Sequence, residues 1–520
     1  MKDLSRRGFL AFLGGLAVLF SGALWLKLRR KRPPVVFAGP AMARGHALRM
    51  PLQKPAITAE SKIDIAIVGG GISGMSAGWY LQKQGTSDFT LFELEDRAGG
   101  NAQWGENRIG RYPWGAHYLP TPGPDAVYVR ELLSEMGVYK DGAFGEEFLV
   151  HEPEERLFIY GQWQQGLVPL LGARTADRSE FEKFSALMRS YRELRGSDGR
   201  KAFTIPLAAS SRDPKLLAFD RITAGEFLRE RGFTSQRLLW YVDYVLRDEY
   251  GSSRMNTSAW AFLHYFSARS ESHNLVWPEG NGFISEYLRA KLGERIVSRH
   301  SLRRVDKEQG GYALYFDDFA AGRVRKIFSR KLIFAAPKFI LPYVYPALAG
   351  GRVAAARSFQ YSPWLTVNAL VNHFGALEPA WDNVTFGSKS LGYVVAQHQK
   401  AGKLPHARTL TFFHAYDADD TLQSRRQLLQ MSAHDVYDFA VTELKRPHPT
   451  IEDYIEEVGI YRWAHAMVRP VPGFIWGAPR ESLGDIDRNF FGAHSDLSGM
   501  SNFEEAQYQG IEAAKKALRA

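Results

Sequence analysis

Residues 63–74 read Ile63-Asp-Ile-Ala-Ile-Val-Gly-Gly-Gly-Ile-Ser-Gly74, a β-rich apolar run that enters a glycine-rich turn directly. The segment from Met75 to Gln84 is compatible with a helix, and Gly85 ends it. Phe89-Thr-Leu-Phe-Glu93 then reads as a second strand that ends in an acidic residue. This order predicts the strand–turn–helix–strand unit of an α/β fold.

The turn has the spacing G-x-G-x-x-G, which has a mechanical explanation. Gly69 permits the tight turn, Gly71 lets the backbone approach a pyrophosphate, and Gly74 allows the helix to pack closely on the strand. The helix N-terminus then faces the phosphates, and Glu93, about 20 residues further on, can accept hydrogen bonds from ribose hydroxyls. The pattern predicts a bound dinucleotide. Three neighbours complete this part of the predicted site: Ile72, Ser73 and Leu94.

The residues after the second strand indicate which dinucleotide is bound. Glu93-Leu-Glu-Asp-Arg-Ala-Gly-Gly-Asn101 has the form E-x-x-x-R-x-G-G and resembles the flavin-containing amine oxidase and phytoene desaturase superfamily. Tyr112-Pro-Trp-Gly-Ala-His-Tyr118 resembles the flavin-side segment of that superfamily. Asn101 stands where the family has a second arginine. The resemblance implies that the nucleotide is FAD, and it adds these contacts: Arg97, Gly99, Gly100, Asn101, Gly115, Ala116 and His117.

The C-terminal end of the chain supports the same resemblance. Residues 489–510 resemble the closing FAD motif of the superfamily, in which a strand, a loop and a helix cover the isoalloxazine. A helix N-terminus here would place N–H groups near the flavin, where negative charge develops on reduction. Asp496 is predicted either to contact the ribityl or pyrophosphate region or to cap a helix. The same motif implies three further FAD contacts: Ser501, Asn502 and Phe503.

Two segments in the middle of the chain also resemble the family. Trp277-Pro-Glu-Gly-Asn-Gly-Phe283 opens a helix. Residues 296–305 resemble the strand that passes the adenine, which implies that the backbone of Leu302 lies beside that ring. Lys331-Leu-Ile-Phe-Ala-Ala-Pro337 resembles the strand that returns to the flavin, which implies that Ala336 contacts the cofactor.

The order of these motifs implies a discontinuous architecture of the α/β class. The resemblance covers nearly all of residues 61–520 and predicts a Rossmann-like FAD-binding domain with an inserted α+β substrate domain of mixed sheet and helices. The FAD-binding domain is expected from residues 61–118, 275–345 and 470–520. The substrate domain is expected from residues 119–274 and 346–469.

The resemblance implies an oxidoreductase that removes a hydride from a small organic substrate onto flavin N5, with dioxygen or a quinone as the acceptor. The substrate class is an amine, a polyamine or an apolar compound. Two positions depart from the family's amine oxidases: Asn368 aligns with a lysine, and Asn502 aligns with an aromatic residue. Shifting the alignment by one or two residues would restore an aromatic wall through Phe503. His117 and His494 are the acid–base candidates. The sequence shows no credible metal-ligand spacing.

Asn368 and Asn502 also motivate a second hypothesis from another class. The protein could keep FAD as a structural element and act as a non-catalytic, membrane-tethered flavoprotein or scaffold that partners another envelope enzyme. Reduction of the flavin by a donor, followed by reoxidation, separates the two hypotheses.

Composition and charge exclude several other classes. The chain has 520 residues, 45% hydrophobic and 23% charged, with no cysteine, so thiolate metal sites, disulfides and a sulfur-linked flavin are excluded. Residues 1–60 carry eleven Lys or Arg and two acidic residues, which accounts for nine of the ten net positive charges. The remainder is nearly neutral, which argues against nucleic-acid binding.

The basic N-terminal segment resembles a twin-arginine export signal. Ser5-Arg-Arg-Gly-Phe-Leu10 precedes an uncharged stretch, residues 8–26, which at about 1.5 Å per residue spans roughly 28 Å and can cross a bilayer. A plain membrane anchor is the alternative, and the basic residues 27–32 would by the positive-inside rule stay in the cytoplasm. We predict a signal or uncleaved hydrophobic helix over 1–32, a proline-rich linker over 33–60, and a location at the periplasmic face of the inner membrane.

Overall fold

The computed structural model describes residues 32–50, 57–269, 273–372, 380–399 and 406–520. The predicted N-terminal hydrophobic helix and twin-arginine signal lie outside these ranges, apart from Arg32. None of the helices in the described ranges has the length and apolar character that a membrane crossing requires.

The described residues contain both strands and helices. The strands are β1 (Val35–Gly39), β2 (Ile57–Val68), β3 (Phe89–Phe92), β4 (Trp104–Asn107), β5 (Gly110–Pro113), β6 (Tyr118–Pro120), β7 (Tyr139–Lys140), β8 (Ala143–Phe144), β9 (Glu155–Ile159), β10 (Gln162–Gln165), β11 (Asn274–Val276), β12 (Ile296–Val297), β13 (His300–Glu308), β14 (Gly311–Asp318), β15 (Arg323–Phe334), β16 (Tyr361–Val371), β17 (Asp382–Thr385), β18 (Gly392–Val395), β19 (Arg408–Ala415), β20 (Ile455–Val468), β21 (Asp485–Asp487) and β22 (Phe490–Gly492). The helices are α1 (Met42–His46), α2 (Ile72–Lys83), α3 (Val127–Glu135), α4 (Thr175–Arg192), α5 (Pro214–Leu217), α6 (Ala224–Glu230), α7 (Gln236–Tyr250), α8 (Ala259–Ala268), α9 (Gly282–Leu292), α10 (Leu341–Val344), α11 (Gly350–Ser358), α12 (Thr421–Gln430), α13 (Ala433–Leu444), α14 (Ala478–Glu481) and α15 (Phe503–Arg519).

The first large sheet contains the predicted strand–turn–helix–strand unit. Its strand order is β12-β3-β2-β15-β14-β13, and β22 pairs with β15 and β21. Strands β12, β3, β2, β15 and β22 pair in parallel, whereas β13, β14 and β15 form an antiparallel meander. The sheet therefore combines strands from three separate segments of the chain, as a discontinuous Rossmann-like lobe requires.

The last four residues of strand β2, Ile65–Val68, are apolar without alternation because both faces of the strand are buried there. Ile65 and Ile67 pack in one core with helices α2 and α15, while Ala66 and Val68 pack in a second core with the meander. Helix α15 lies so close to α2 that a Cβ atom on Gly510 would fall 2.0 Å from the carbonyl oxygen of Ser73. The C-terminal helix is therefore locked onto the glycine-rich turn by close backbone packing.

The second large sheet has the order β1-β20-β16-β19-β18-β17-β9-β10 and is mixed. Strand β16 is central, and all eleven of its residues are buried. Helices α12 and α13 cover one face through a core that includes Leu428 and Val436. The other face meets an aromatic core that includes residues of helix α7, such as Tyr244. This is the mixed-sheet and helical lobe that the sequence predicts.

The segment predicted to be a linker is part of both lobes over residues 35–50. Strand β1 pairs in parallel with β20 at the edge of the second sheet. The backbone N–H of Ala41 donates to the Glu95 carboxylate at 3.2 Å, and Arg44 forms an ion pair with Asp96 at 3.0 Å. The prediction of a free tether is wrong here, because backbone pairing at a sheet edge leaves no periodic signal in a proline-rich sequence.

Candidate functional site

A cavity of about 310 Å³, the cradle, lies where the carboxyl ends of β2, β3 and β15 meet. Ligands of open α/β sheets bind at this end of the strands. Fifteen of the residues that the sequence assigns to the cofactor line the cradle: Gly69, Gly71, Ile72, Ser73, Glu93, Leu94, Gly100, Asn101, Ala116, Leu302, Ala336, Asp496, Ser501, Asn502 and Phe503.

The three motif glycines have different surroundings. Gly69 has a φ of +105°, which favours glycine. A Cβ atom on Gly74 would fall 1.9 Å from the carbonyl oxygen of Gly69. The backbone itself therefore requires glycine at both positions. A Cβ atom on Gly71 would meet nothing closer than the Cα of Gly100 at 3.8 Å. The space beside Gly71 is thus left open toward the cradle, where a pyrophosphate fits.

Glu93 is buried at the end of β3 and holds the turn. Its Oε2 accepts the N–H of Gly70 at 2.6 Å, and its Oε1 accepts the N–H of Glu95 at 2.8 Å. Burial raises the pKa of Glu93, although these backbone donors act in the opposite direction. Each carboxylate oxygen has a further lone pair, which suits a ribose hydroxyl.

Asp496 is fully buried in the wall of the cradle. Its Oδ2 accepts the N–H of Lys338 at 2.8 Å and the hydroxyl of Tyr361 at 2.5 Å. Burial alone would raise the pKa of Asp496, but His494, Tyr361 and the Lys338 N–H together lower it. The Nδ1 of His494 accepts the Asp496 N–H and also lies 3.1 Å from Oδ1 of Asp496, which receives no hydrogen bond from a donor within the described residues. An unsatisfied buried acceptor at this wall fits a ribityl hydroxyl.

Asn502, and not Asp496, caps the closing helix. Its Oδ1 accepts the N–H of Glu505 at 3.0 Å at the start of α15. Its buried Nδ2 has no acceptor among the residues that the structure describes. The cradle therefore presents an open phosphate position, an unpaired acceptor and an unpaired donor, a combination that fits FAD.

Five residues predicted to bind the cofactor lie outside the cradle: Gly74, Arg97, Gly99, Gly115 and His117. Arg97 donates to the carbonyl of Trp104 and lies over that ring at 4.2 Å, and its contact with FAD stays a prediction. Gly99 supports the turn by donating its N–H to the carbonyl of Gly70 at 2.8 Å.

A second cavity of about 140 Å³, the junction, adjoins the cradle and shares seven residues with it: Asn101, Ala116, Asn281, Ala466, Ser501, Asn502 and Phe503. Its walls include Gly115 and His117 and the rings of Trp364, Phe413 and Trp463. These rings provide the aromatic walls that Asn502 does not.

Asn368 does not reach any of the three cavities that form the site. Its Nδ2 donates to the carbonyl of Pro113 at 2.9 Å, and its Oδ1 accepts from Thr411 at 2.6 Å. These bonds support a structural role for Asn368, and its catalytic role stays a prediction that no cavity contact supports. Thr366, two residues earlier on the same face of β16, lines the junction, and its buried hydroxyl has no partner in the described ranges.

A third cavity of about 680 Å³, the chamber, extends from the junction into the second lobe. The two cavities share His117, Tyr118, Pro120, Asp248, Glu249, Arg269 and Phe413. Cradle, junction and chamber thus adjoin in a row. This order places a cofactor at one end and leaves room for a substrate at the other.

His117 is a neutral side chain on the substrate side of the row. Burial lowers its pKa to about 4, and its ring stacks on Phe413 with 4.5 Å between centroids. Nδ1 lies 3.3 Å from the carbonyl of Gly115, which favours the Nδ1–H tautomer and leaves Nε2 as an acceptor. His117 is therefore suited to accept a hydrogen bond from a substrate rather than to store a proton at neutral pH.

The other histidines have different roles. His494 lines the cradle with a φ of +112°, and its backbone N–H donates to Ser73 at 2.8 Å. His465 also lines the cradle, where burial lowers its pKa to about 3 and its ring stacks on Phe339. His264 is buried away from the three cavities, with its Nε2 3.1 Å from the Thr204 carbonyl.

Sequence reasoning missed two adjacent acids, Asp248 and Glu249, at the end of α7. Burial raises the pKa of both to about 7. Glu249 lies 3.8 Å from Arg269, whereas no ion pair of Asp248 is found among the described residues. The sequence does contain one indication of these buried acids. They follow the aromatic run Trp240-Tyr-Val-Asp-Tyr244, and charged residues beside such an apolar run are candidates for a buried site.

Sequence comparisons relate the chain to flavoenzymes. Residues 67–136 match the model of the NAD(P)-binding Rossmann-like domain. A flavin-containing amine oxidase of Oncorhynchus mykiss is 26% identical over 262 residues, 48% of this chain and 46% of that protein. A flavin-containing amine oxidase B of Bos taurus is 24% identical over 299 residues, 53% of each chain. The chain thus spans about half the length of these relatives.

Comparison with solved structures covers more of the chain. Putrescine oxidase bound to putrescine superposes with a TM-score of 0.66 and 16% identity over 89% of this chain and 100% of that chain. Cyclohexylamine oxidase from Brevibacterium oxydans IH-35A superposes with a TM-score of 0.65 and 16% identity over 88% of this chain and 99% of that chain. The fold of this chain is therefore that of putrescine oxidase and cyclohexylamine oxidase, and about half of its sequence is similar to flavin-containing amine oxidases.

Proposed function

We propose that this protein is an FAD-dependent oxidoreductase that oxidises an amine. The observation that carries the proposal is the row of cavities, in which a nucleotide cradle opens through an aromatic junction into a chamber lined by carboxyl and tyrosine side chains. An ammonium group is attracted by both kinds of side chain. The relatives named above support the same reaction class.

The cradle residues would hold the cofactor in three places. The turn at Gly69 and Gly71 and the N-terminus of α2 would bind the pyrophosphate, and Glu93 would bind the adenosine ribose. Asp496 and Asn502 would bind the polar groups of the ribityl–flavin end. Bound FAD supplies a two-electron acceptor for a C–H bond next to nitrogen.

The residues around the junction would prepare the substrate. Oxidation needs the lone pair of the neutral amine, so the entering ammonium group must lose a proton. Asp248, with a pKa near 7, is matched to accept it. The neutral His117 would accept a hydrogen bond from the substrate nitrogen, and Trp463 and Phe413 would exclude water from the reacting carbon.

The overall reaction balances with dioxygen or a quinone as acceptor. The neutral amine loses two electrons and two protons and becomes an imine, which water hydrolyses to a carbonyl compound and a smaller amine or ammonia. Dioxygen would take up the electrons and protons as hydrogen peroxide, and a quinone would become a quinol.

Anaerobic mixing with amines tests this proposal. Purified protein loaded with FAD is expected to lose its absorbance near 450 nm when an amine substrate is added, and to recover it in air. A panel of mono-, di- and polyamines, with matched alcohols as the control, covers the substrate class. A flavin that no amine bleaches would contradict the proposal and favour the non-catalytic scaffold. Asn368, one of the two residues that motivated this alternative, lies outside the three cavities.

We also propose that the segment over residues 1–32 exports the folded protein to the periplasmic face of the inner membrane. The support is the Arg6-Arg7 pair ahead of the uncharged stretch. Replacing both arginines with lysine is expected to move the protein from the envelope fraction to the cytoplasmic fraction. An unchanged distribution, measured with a matched Lys27→Arg control, would contradict export by this route.

A further inference from the structure

We propose that Glu155 and Asp382 form a binding site for a second ammonium group, so that the substrate is a diamine or a polyamine. The inference rests on the proposed amine oxidation and adds its substrate class.

The two carboxyl groups face each other at one place in the chamber. Glu155 begins β9 and Asp382 begins β17, and the two residues are direct partners in the parallel pairing of these strands. Both line the chamber, and neither lines the junction or the cradle. The following pair in the register, Arg156 and Asn383, bond to each other at 2.6 Å. Successive side chains alternate between faces, so that arginine points away from the acid pair.

The acid pair is uncompensated. Within the described residues, neither Glu155 nor Asp382 forms an ion pair with a lysine, arginine or histidine. Burial raises the pKa of Glu155 to about 7 and that of Asp382 well above its usual value, and the charge of Glu155 adds to the effect on Asp382. Like charges directly opposite on neighbouring strands repel, and a cation from outside the chain would relieve this repulsion.

The arginine that the described chamber wall provides is already engaged. Arg269 lies 3.3 Å from Glu504 and 3.8 Å from Glu249. The guanidinium group of Arg269 therefore pairs with acids on the junction side of the chamber. It forms no ion pair with Glu155 or Asp382 in the described part of the chain.

A tyrosine hydroxyl beside the acid pair provides an independent sign of a ligand. Tyr244 is only 5% exposed and lines the chamber. Its hydroxyl has no hydrogen-bond partner among the described residues, and burial, followed by the charges of Asp382, Asp248 and Glu155, raises its pKa. The hydroxyl oxygen is accessible from the chamber, so it is available to bond a ligand there. An ammonium group, with three donors, can bond Tyr244 and both carboxylates together.

The sizes of the cavities fit an extended dication. The junction, about 140 Å³, accommodates the reacting C–N end beside Asp248, and the chamber, about 680 Å³, accommodates a chain that leads to the acid pair. A monoamine held at the junction would leave Glu155 and Asp382 without a cation, so that only protonation would relieve their repulsion. The chamber therefore selects for charge at both ends of the substrate.

Binding to the reduced holoenzyme tests the inference without turnover. Calorimetry under anaerobic conditions, after chemical reduction of the flavin, would compare 1,4-diaminobutane, 1,8-diaminooctane and spermidine with n-butylamine and n-octylamine. We expect the diamine to bind at least ~10-fold more tightly than the monoamine of equal length, because a charged hydrogen bond contributes roughly this much. Glu155→Gln and Asp382→Asn should each remove most of that preference and change monoamine binding less than ~2-fold.

Two further variants keep the test decisive. Tyr244→Phe keeps the ring and should weaken diamine binding by about 3- to 10-fold. Glu294→Gln removes an exposed acid outside the three cavities and should change nothing. Flavin content and unfolding temperature establish that each variant is folded.

Three results would overturn the inference. Wild-type protein could bind matched mono- and diamines equally, the variants could weaken both equally, or magnesium chloride alone could bind at the acid pair and displace the diamine. Flavin reduction by the same amines is measured separately. If monoamines reduce the flavin as well as diamines do and the acid-pair variants behave as wild type, only this inference fails; if no amine reduces the flavin, the proposed function fails.

Discussion

Gly71→Val is expected to yield a folded protein without FAD. A Cβ atom at this position has open space, with the nearest protein atom 3.8 Å away, so the first side-chain atom fits without moving the chain. The backbone is also unstrained, with a φ of −72° that valine adopts. The two methyl groups would instead occupy the position that the motif reserves for the pyrophosphate. We expect the dissociation constant for FAD to rise at least ~100-fold, equivalent to about 2.7 kcal/mol.

Flavin absorbance of the purified variant, and titration of the apoprotein with FAD, measure this effect. Gly351→Val is the matched control, because Gly351 is exposed, also has open space for a Cβ atom and lies outside the three cavities. Gly71→Ala should weaken FAD binding by less than valine does. Gly74→Val should fail to fold, because its side chain would collide with the backbone of Gly69. Full flavin retention in Gly71→Val would refute the assignment of this turn to the cofactor.

Asp248→Asn is expected to lower the rate of flavin reduction by about 100-fold or more, since loss of a positioned base costs 10²–10⁴ in rate. Burial, then Glu249 and Glu155, raises the pKa of Asp248 to about 7. The ionised carboxylate is the form that accepts a proton, so kcat/KM of the wild type should fall about tenfold per pH unit below pH 7 and level off above it with respect to this group. The variant should lack this limb.

Stopped-flow reduction between pH 5.5 and 9 measures both effects. Asp248→Glu keeps the carboxyl group and should restore part of the rate together with the pH dependence. Glu193→Gln, an exposed acid outside the three cavities, is the control for a change of charge. A variant that retains the limb near pH 7 would show that another group accepts the proton.

The parts of the site that lie within a few residues of one another could be predicted. The turn at Gly69 and Gly71, the acid Glu93 and the closing residues Asp496 and Asn502 all line the cradle. The spacing of the glycines and the acid indicates Gly69, Gly71 and Glu93, whereas the resemblance of residues 489–510 to the family's closing motif implied Asp496 and Asn502. Arg97 belongs to the same local motif but turns to Trp104, because a side chain's direction depends on its neighbours as well as on its position.

Residues from distant segments could not be predicted. Asn368 and Thr366 lie on one face of β16. Strand β5, which ends at Pro113, covers Asn368 and leaves Thr366 open to the junction. Glu155 and Asp382 are more than 200 positions apart and meet through the pairing of β9 with β17. No local pattern specifies which strands become neighbours.

The amino-acid sequence by itself determined that a Rossmann-like unit forms at residues 63–93, because apolar periodicity and glycine spacing act over short range. It also determined the absence of thiol chemistry, since the chain has no cysteine. Only the tertiary structure decided that residues 35–50 dock on both lobes and that buried acids gather in one chamber. Burial and like-charge proximity set the protonation of those acids, and both arise only when remote segments pack together.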